Sequence, residues 1–402
     1  MRLIHTSDWH LGRAFHGVGL LDAQARFVDH LVETVRAERV GAVLVSGDVY
    51  DRALPSPATV ELLSDTVTRL VDAGAEVVLS SGNHDSAIRL GFASRLLTRA
   101  GLHIRSSLTE VGSPVDVDGV AIYALPYLEP STSADVLGAT ERTHAGVLRA
   151  AMARVGADLA RRRRPSVVMA HAFVTGGATC ESERDISVGG VSAVHPSVFA
   201  GVDYAALGHL HGAQRVSDRV HYSGSPLAMS FSEHRHTKGS WLVDLDDGGA
   251  VTSHFVQAPV DRPLRVLRGD LDDLLVDPAL DDAAAAYCQV TLTDPVRPLG
   301  AMDRLRQRFP HTVQLAFAPR GGVTSISSYA AALGRRSDDL DVCCDFLAHV
   351  RGGHPASGEE RALFRQAVEA SRVERAQRLD ELGAMLPGLG DDLFRTATRG
   401  VA

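Results

Sequence analysis

The chain has 402 residues, and at roughly 100–200 residues per domain this length predicts two or three domains. A hydrophobic share of 45% and a charged share of 22% are ordinary for globular proteins and exclude a mainly disordered chain. The net charge of -8 argues against a charge-driven nucleic-acid binder of the histone kind, although bound metal ions can reverse the sign locally.

Cysteine content and the lack of membrane-spanning or signal segments indicate the kind of compartment in which the protein works. Four cysteines without a C-x-x-C pair argue against a structural zinc site and fit a reducing compartment. The sequence has no apolar run of transmembrane length, and its N-terminus turns polar too early for a signal peptide, so we predict a cytoplasmic protein. Only one of the 41 basic residues is a lysine, Lys238, an imbalance that we attribute to genome composition.

Residues 1–110 alternate between strand and helix patterns, which predicts an α/β layer fold. The predicted strands in this part are 2–6, 42–45 and 76–79, and the predicted helices are 22–39 and 56–73. The pattern then becomes richer in strands, which are predicted at 120–124, 166–170, 204–207 and 241–245, with a long helix at 141–161.

Residues 257–263 have the composition of a linker. Beyond it, strands predicted at 264–268, 287–293 and 313–318 and a helix at 298–308 indicate a smaller second α/β domain. Further helices are predicted at 338–350 and 359–386, with a Gly/Pro/Ser-rich break at 351–358. We therefore expect three parts, 1–258, 264–350 and 356–402.

Polar motifs follow the predicted strands of the first part at five places. They are Asp8-Trp9-His10, Gly47-Asp48-Val49-Tyr50-Asp51, Gly82-Asn83-His84-Asp85, His171 and Gly208-His209-Leu210-His211. Loops beyond the carboxyl ends of strands form the usual ligand crevice of an open α/β sheet. Oxygen ligands from Asp and Asn, together with imidazoles, suit manganese, iron or zinc. The sequence therefore predicts a binuclear metal centre in which the carboxylate of Asp48, next to a glycine, can bridge two ions.

Two divalent ions would outweigh the charges of Asp8 and Asp48, so such a centre would attract a phosphate. Isolated histidines are more often hydrogen-bonded core residues than ligands, and we assign His5 and His103 to that class. Asp51 is either a turn residue or a group that holds a neighbouring ligand by a hydrogen bond, and the pattern leaves both interpretations open.

Taken together, these motifs resemble those of the calcineurin-like metallophosphoesterases, and within that superfamily those of its DNA-nuclease subunits. Residues 187–191 (Ser-Val-Gly-Gly-Val) and Tyr222-Ser223-Gly224-Ser225-Pro226 extend the resemblance to residues 1–230, whereas the remaining chain matches in layout more than in motif. The resemblance implies a layered αββα sandwich, a smaller α/β cap domain that contacts DNA, and C-terminal helices.

The resemblance also implies a role for each residue of the centre. One ion would be held by Asp8, His10, Asp48 and His211, and the other by Asp48, Asn83, His171 and His209. His84 matches the catalytic histidine, which contacts the scissile phosphate or the leaving oxygen, and we expect Asp85 to orient its ring. The resemblance implies two divalent metal ions, Mn2+ in the first place and Mg2+ as the alternative.

The implied function is a metal-dependent DNA nuclease that cleaves phosphodiester bonds at DNA ends and hairpins in DNA repair and recombination. A coiled-coil ATPase would dock on the C-terminal helices, and a homodimer would form through helices of the first domain. One alternative is a phosphatase or cyclic-nucleotide phosphodiesterase of the same superfamily, which Asp51-Arg52 suggests but Ala53 and the extra domain disfavour. Another is a non-catalytic scaffold, which the complete ligand set disfavours.

Overall fold

The computed structural model describes residues 1–162, 164–184, 193–320, 338–351 and 354–385. Four segments of the sequence predictions lie outside these residues, namely the motif 187–191, residues 321–337 of the second domain, residues 352–353 of the break and residues 386–402. The chain divides into two compact units, Met1–Val266 with Ala285–Gln289, and Leu267–Ala284 with Val290–Ala402. No helix of the described part is long and apolar enough to cross a membrane.

The first unit contains strands and helices in alternation. In chain order its strands are β1 (Arg2–Thr6), β2 (Ala14–Phe15), β3 (Val18–Gly19), β4 (Ala42–Ser46), β5 (Glu76–Ser80), β6 (Leu102–Arg105), β7 (Val115–Val117), β8 (Val120–Ala124), β9 (Ser166–His171), β10 (Tyr204–Gly208), β11 (Gln214–Arg215), β12 (Val220–Tyr222), β13 (Gly239–Leu245) and β14 (Val251–Gln257). Its α-helices are α1 (Leu21–Glu38), α2 (Pro57–Asp72), α3 (Ala87–Leu90), α4 (Ser94–Leu97), α5 (Pro130–Leu137) and α6 (His144–Arg162).

Two six-stranded sheets organise this unit. The first has the order β14-β13-β1-β4-β5-β6, with β1, β4, β5 and β6 parallel and β13 and β14 antiparallel at one edge. The second has the order β11-β12-β10-β9-β8-β7, with β8, β9, β10 and β12 parallel and an antiparallel strand at each edge.

The layering follows from the alternation of side chains along buried strands. In β4, Val43 and Val45 pack in one core with α1 and α2, whereas Leu44 packs in another core with residues of the second sheet. The outer face of the second sheet packs on α5 and α6 in a third core. The expected αββα sandwich is thereby confirmed.

The two sheets are joined at Ser46, the last residue of β4. Its hydroxyl donates to the carbonyl oxygen of Ala206 in β10 at 2.9 Å, and its own carbonyl oxygen lies 3.1 Å from Nδ1 of His171. A Cβ on Gly208 would lie only 1.9 Å from that carbonyl oxygen, so this position requires glycine. The close approach brings the C-terminal ends of parallel strands from both sheets to one place.

The second unit is built on a three-stranded sheet and helices. The sheet has the order β15 (Leu264–Gly269), β16 (Tyr287–Leu292) and β17 (Thr312–Phe317), and the division assigns the first residues of β15 and β16 to the larger unit. Its helices are α7 (Leu271–Val276), α8 (Ala301–Arg308), α9 (Asp339–Val350) and α10 (Gly358–Met385). The beginning of α10 is tied to α9 by a 2.7 Å ion pair between Arg361 and Asp341.

The strands and helices predicted from the sequence are confirmed, with described ends within three residues of those expected. The sequence analysis missed several mostly short elements, namely strands β2, β3, β6, β7, β11, β12 and β14 and helices α3, α4, α5 and α7. Strand β12 has three residues, and β14 is a half-exposed edge strand. Neither contains the continuous apolar run that identifies a strand buried on both faces.

We expect Gly208→Ala to destabilise the first unit by about 3 kcal/mol or more, because its Cβ would overlap backbone of the neighbouring sheet. Gly156→Ala in α6 is the matched control, because a Cβ there meets nothing within 4 Å. That control should gain about 0.5–1 kcal/mol from reduced backbone entropy. Urea unfolding of both variants measures the difference, and equal stabilities would contradict the close approach at Ser46.

Candidate metal centre

The loops that follow five strands bring the predicted ligands together. These residues, at the ends of β1, β4, β5, β9 and β10, are Asp8, His10, Asp48, Asn83, His171, His209 and His211. All except Asn83 are buried. Ligand atoms of Asp8, His10 and His211, and likewise of Asp8, Asp48 and His171, lie within 4.8 Å of one another.

Backbone hydrogen bonds hold the first two loops side by side. The amide of Asp8 donates to the carbonyl oxygen of Gly47 at 3.1 Å, and the amide of His10 donates to that of Asp48 at 2.9 Å. The spacing of Asp8 and His10 relative to Asp48 is therefore set by main-chain pairing, which substitutions of the side chains leave in place.

Asp48 lies at the middle of the cluster. Its Oδ1 accepts the amide of His84 at 2.9 Å. Its Oδ2 lies 3.5 Å from Nε2 of His10 and equally 3.5 Å from Nε2 of His171. The carboxylate thus faces one histidine from each of the two predicted ligand sets.

The rings of His10 and His211 meet edge to face, with their Nε2 atoms 3.2 Å apart. Nδ1 of His211 lies 2.7 Å from the hydroxyl of Ser182, and Nδ1 of His10 lies 3.4 Å from Oδ1 of Asp51. If both Nδ1 atoms carry the proton, the two Nε2 lone pairs converge on one point. A cation at that point would be bound by both.

His171 and Asn83 present a similar pair of acceptors. Nδ1 of His171 donates to the carbonyl oxygen of Ser46, which leaves Nε2 as an acceptor facing Oδ1 of Asn83 at 2.8 Å. Nδ2 of Asn83 is buried without a hydrogen-bond partner among the described residues. His209 stacks edge to face on His171, with ring centroids 5.3 Å apart.

The electrostatics of the centre suit a divalent cation. Burial and the neighbouring Asp48 raise the pKa of Asp8, whereas the surrounding histidines outweigh burial and hold the pKa of Asp48 below its usual range. Burial lowers the pKa of His10 to about 4 and that of His209 to about 3, so both rings are neutral at pH 7. Two buried carboxylates among neutral imidazoles form a donor set that fits divalent metal ions.

Unusual backbone conformations concentrate in the same loops. Of the eight non-glycine residues with positive φ in the described part of the chain, four belong to the cluster: Asp8, His10, Asp48 and His209, at 52°, 43°, 47° and 102°. Such conformations cost energy and persist where the surrounding structure fixes them, which is typical of functional sites.

The expectation that Asp85 orients the ring of His84 is wrong. Nδ1 of His84 instead lies 2.8 Å from the carbonyl oxygen of Asp51. The carboxylate of Asp85 accepts hydrogen bonds from the amides of Val49, Tyr50 and Gly82 at 2.9–3.1 Å. Asp85 therefore joins two ligand loops through their backbones.

Asp51 is more than a turn residue. It forms a 2.9 Å ion pair with Arg13, and its Oδ1 lies 3.4 Å from Nδ1 of His10. Burial acts to raise the pKa of Asp51, but His10 and Arg13 outweigh it and lower that pKa to about 2. The carboxylate is therefore ionised beside a predicted ligand.

The sequence analysis missed a polar network behind His211. Its members are Cys180, Ser182, Glu183, Glu233 and Lys238. Glu183 accepts the amide of His211 at 2.7 Å, and Glu233 is buried against Lys238. These residues lie in two short segments of the sequence, 180–183 and 233–238, that form no recognised motif. The only signal was that Lys238 is the sole lysine.

His5 and His103 are hydrogen-bonded as expected. His5 is buried between Tyr204 and the carbonyl oxygen of Leu207, at 2.9 and 3.1 Å. His103 pairs with Glu76 at 2.7 Å. Neither belongs to a cluster of ligand atoms in the described part of the chain.

The chain resembles one named relative in sequence and two solved structures in fold. The chain is 28% identical over 366 residues to a protein of Staphylococcus saprophyticus that is named as the SbcD component of the nuclease SbcCD, an alignment that covers 90% of this chain and 96% of the relative. Among solved structures, TT1561 of Thermus thermophilus is similar with a TM-score of 0.37 at 12% identity, covering 64% of this chain and 99% of that one. A dimetal phosphatase from Danio rerio gives a TM-score of 0.37 at 14% identity, covering 63% and 98%.

Two family models match successive parts of the sequence. The model described as Type 5 capsule protein repressor C-terminal domain matches residues 260–351. The model described as calcineurin-like phosphoesterase matches residues 1–213, which is more than half of the chain. All the predicted ligands, from Asp8 to His211, lie within the matched residues. This chain belongs to the calcineurin-like phosphoesterases.

Proposed function

We propose that this chain is a metal-dependent DNA nuclease of the SbcD type, acting as the nuclease component of an SbcCD complex. It would act in the cytoplasm and cleave phosphodiester bonds at DNA ends and hairpins during repair and recombination. The observation that carries the proposal is the convergence of His10 and His211 beside the buried carboxylate of Asp48. The similarity to the staphylococcal SbcCD nuclease component over 90% of the chain supports nuclease activity.

We assign the ligands to two ions. The first is held by Asp8, His10, Asp48 and His211, and the second by Asp48, Asn83, His171 and His209. The position of Asp48 Oδ2, 3.5 Å from a histidine of each set, supports a bridging role. The mixed oxygen and imidazole donors suit manganese among other divalent metals. The family resemblance puts Mn2+ first, with Mg2+ as the alternative.

The ions would supply activation of the nucleophile and stabilisation of charge on the phosphoryl oxygens. The protein's own contribution to proton transfer is His84. Its Nδ1 donates to the carbonyl oxygen of Asp51. In the doubly protonated ring Nε2 therefore carries the second proton, which would pass to the departing sugar oxygen and leave the neutral ring. Asp85 holds the loop of His84 against that of Asp48 by accepting the amides of Val49 and Tyr50.

We expect His84→Gln to keep the bound metal and to lower cleavage of linear duplex DNA by about 100-fold or more, the size of a general-acid contribution. Asp48→Ala is the opposing control, because it removes a carboxylate that faces both ligand sets and should release metal. Elemental analysis per chain and the cleavage rate with Mn2+ measure both effects. Metal loss in His84→Gln would make His84 a ligand, and retained cleavage would remove it from the mechanism.

The same assays separate the nuclease from the phosphatase alternative. The wild-type chain is tested on linear duplex DNA and on p-nitrophenyl phosphate esters, with and without an SbcC-type ATPase. Hydrolysis of the esters without any cleavage of DNA in the presence of the ATPase would overturn the proposed function.

A homodimer is part of the proposal, and its support is an exposed apolar surface near α2. Ile88, Phe92 and Leu96 are 89%, 81% and 69% exposed in the segment that contains α3 and α4. Phe92 lines a cleft together with Val60 of α2, and Leu54, shortly before α2 begins, is exposed. Apolar side chains at this density are typical of a protein–protein contact.

We expect Phe92→Asp to convert a dimer into a monomer, because a charge at the middle of this surface would be buried without a partner. Light scattering coupled to gel filtration measures the mass. Leu299→Asp, at a residue that is 93% exposed in the second unit, is the matched control and should stay dimeric. A wild-type mass of one chain at all concentrations would contradict the dimer.

We also propose that α10 docks an SbcC-type coiled-coil ATPase, and that residues 264–350 form a DNA-contacting cap. Phe364 and Val368 of α10 are half-buried, and the start of the helix is tied to α9 through Arg361 and Asp341. Leu363 is 64% exposed on the same helix. Leu363 is therefore accessible to a partner, whereas Phe364 and Val368 pack within the second unit.

We expect Leu363→Asp to abolish co-purification with the ATPase while leaving the melting temperature unchanged, because the side chain contributes to binding and hardly to the fold. Val136→Asp, exposed on α5 of the first unit, is the control and should co-purify normally. An undiminished complex with Leu363→Asp would exclude this face of α10 as the docking site.

A further inference from the structure

Lys238 is the only lysine among 41 basic residues, and it is buried directly before β13. It is 7% exposed, which is rare for a lysine without a specific partner. A chain that uses arginine at every other basic position would be expected to use it here as well. The exception indicates a position whose geometry arginine does not satisfy.

The surroundings of the ammonium group explain the exception. Nζ donates to the carbonyl oxygen of His211 at 2.8 Å, to Oγ of Ser225 at 2.9 Å and to Oε2 of Glu233. These three acceptors use all three donors of the ammonium group. An arginine is planar and carries five donors, so it would leave some of them buried and unpaired.

The network continues from Lys238 to the ring of His211. Glu233 is 1% exposed and, paired with the ammonium group, is a carboxylate that only accepts hydrogen bonds. Ser182 donates to its Oε1 at 2.5 Å. The hydroxyl of Ser182 has then used its one proton and must accept from Nδ1 of His211, 2.7 Å away.

We propose that Lys238 is a positioning residue for metal binding, which acts through Glu233 and Ser182 to hold His211 as the tautomer with Nε2 free for an ion. The inference rests on the proposed function. Lys238 fixes His211 at two points, at its carbonyl oxygen and, through the relay, at its ring. A ligand histidine whose far nitrogen is hydrogen-bonded in this way is both oriented and made more basic.

The test measures metal binding directly. Titration of the metal-free full chain with Co2+ is followed by calorimetry and by the visible spectrum, which reports the ligands around the ion. We expect Lys238→Met to weaken the binding of one ion by about 10- to 100-fold and to change the spectrum. Lys238→Arg should show the same weakened binding and changed spectrum as Lys238→Met, and so should Glu233→Gln.

Arg2→Met is the matched control, because Arg2 at the start of β1 forms ion pairs with Glu38 of α1 and Asp244 of β13, away from the ligand loops. It should keep the affinity and spectrum of the wild type. Ser182→Ala interrupts the relay without removing a buried charge, so it carries the test if Lys238→Met does not fold. The inference about Lys238 would be overturned, and the proposed function left standing, if Lys238→Met and Ser182→Ala both bound Co2+ with wild-type affinity. Wild-type affinity and spectrum in Lys238→Arg would have the same consequence. If the wild-type chain bound no divalent ion, both the inference and the proposed function would be overturned.

Discussion

The buried carboxylate of Asp48 is the group around which the ligand loops of the first unit are arranged. Its Oδ1 accepts the amide of His84, while its carbonyl oxygen accepts the amide of His10. A buried acid is costly unless hydrogen bonds or opposite charges surround it. The loops at the ends of both sheets meet this requirement together, and Asp8, His10 and Asp48 in these loops have positive φ.

The histidines around Asp48 are supported in two different ways. His10 and His211 have ionised carboxylates behind them, Asp51 with Arg13 and Glu233 with Lys238. Nδ1 of His171 instead donates to the carbonyl oxygen of Ser46. Because the group at the far nitrogen orients a ligand histidine, the histidines of the two proposed ligand sets are oriented by different kinds of group.

Much of the fold could be predicted from local pattern. The apolar run 42–45 identified a buried parallel strand, and helical spacing identified α1 and α2, because burial on a regular element repeats with the period of that element. Strand β14 was missed because its partly buried positions include Ser253, so the alternation of exposure along the strand has no matching apolar repeat in the sequence. The five polar motifs were found because each directly follows a strand whose position could be predicted.

The sequence by itself determined the layer fold, the set of candidate ligands and the exclusion of His5 and His103. Only the tertiary structure decided what supports those ligands. Asp85 turned out to hold backbone amides instead of the His84 ring, and Ser182, Glu233 and Lys238 turned out to stand behind His211. The physical reason is that a hydrogen bond depends on the direction of two groups within a few ångströms of each other. Residues separated along the chain by irregular loops acquire that direction only when the two sheets have packed.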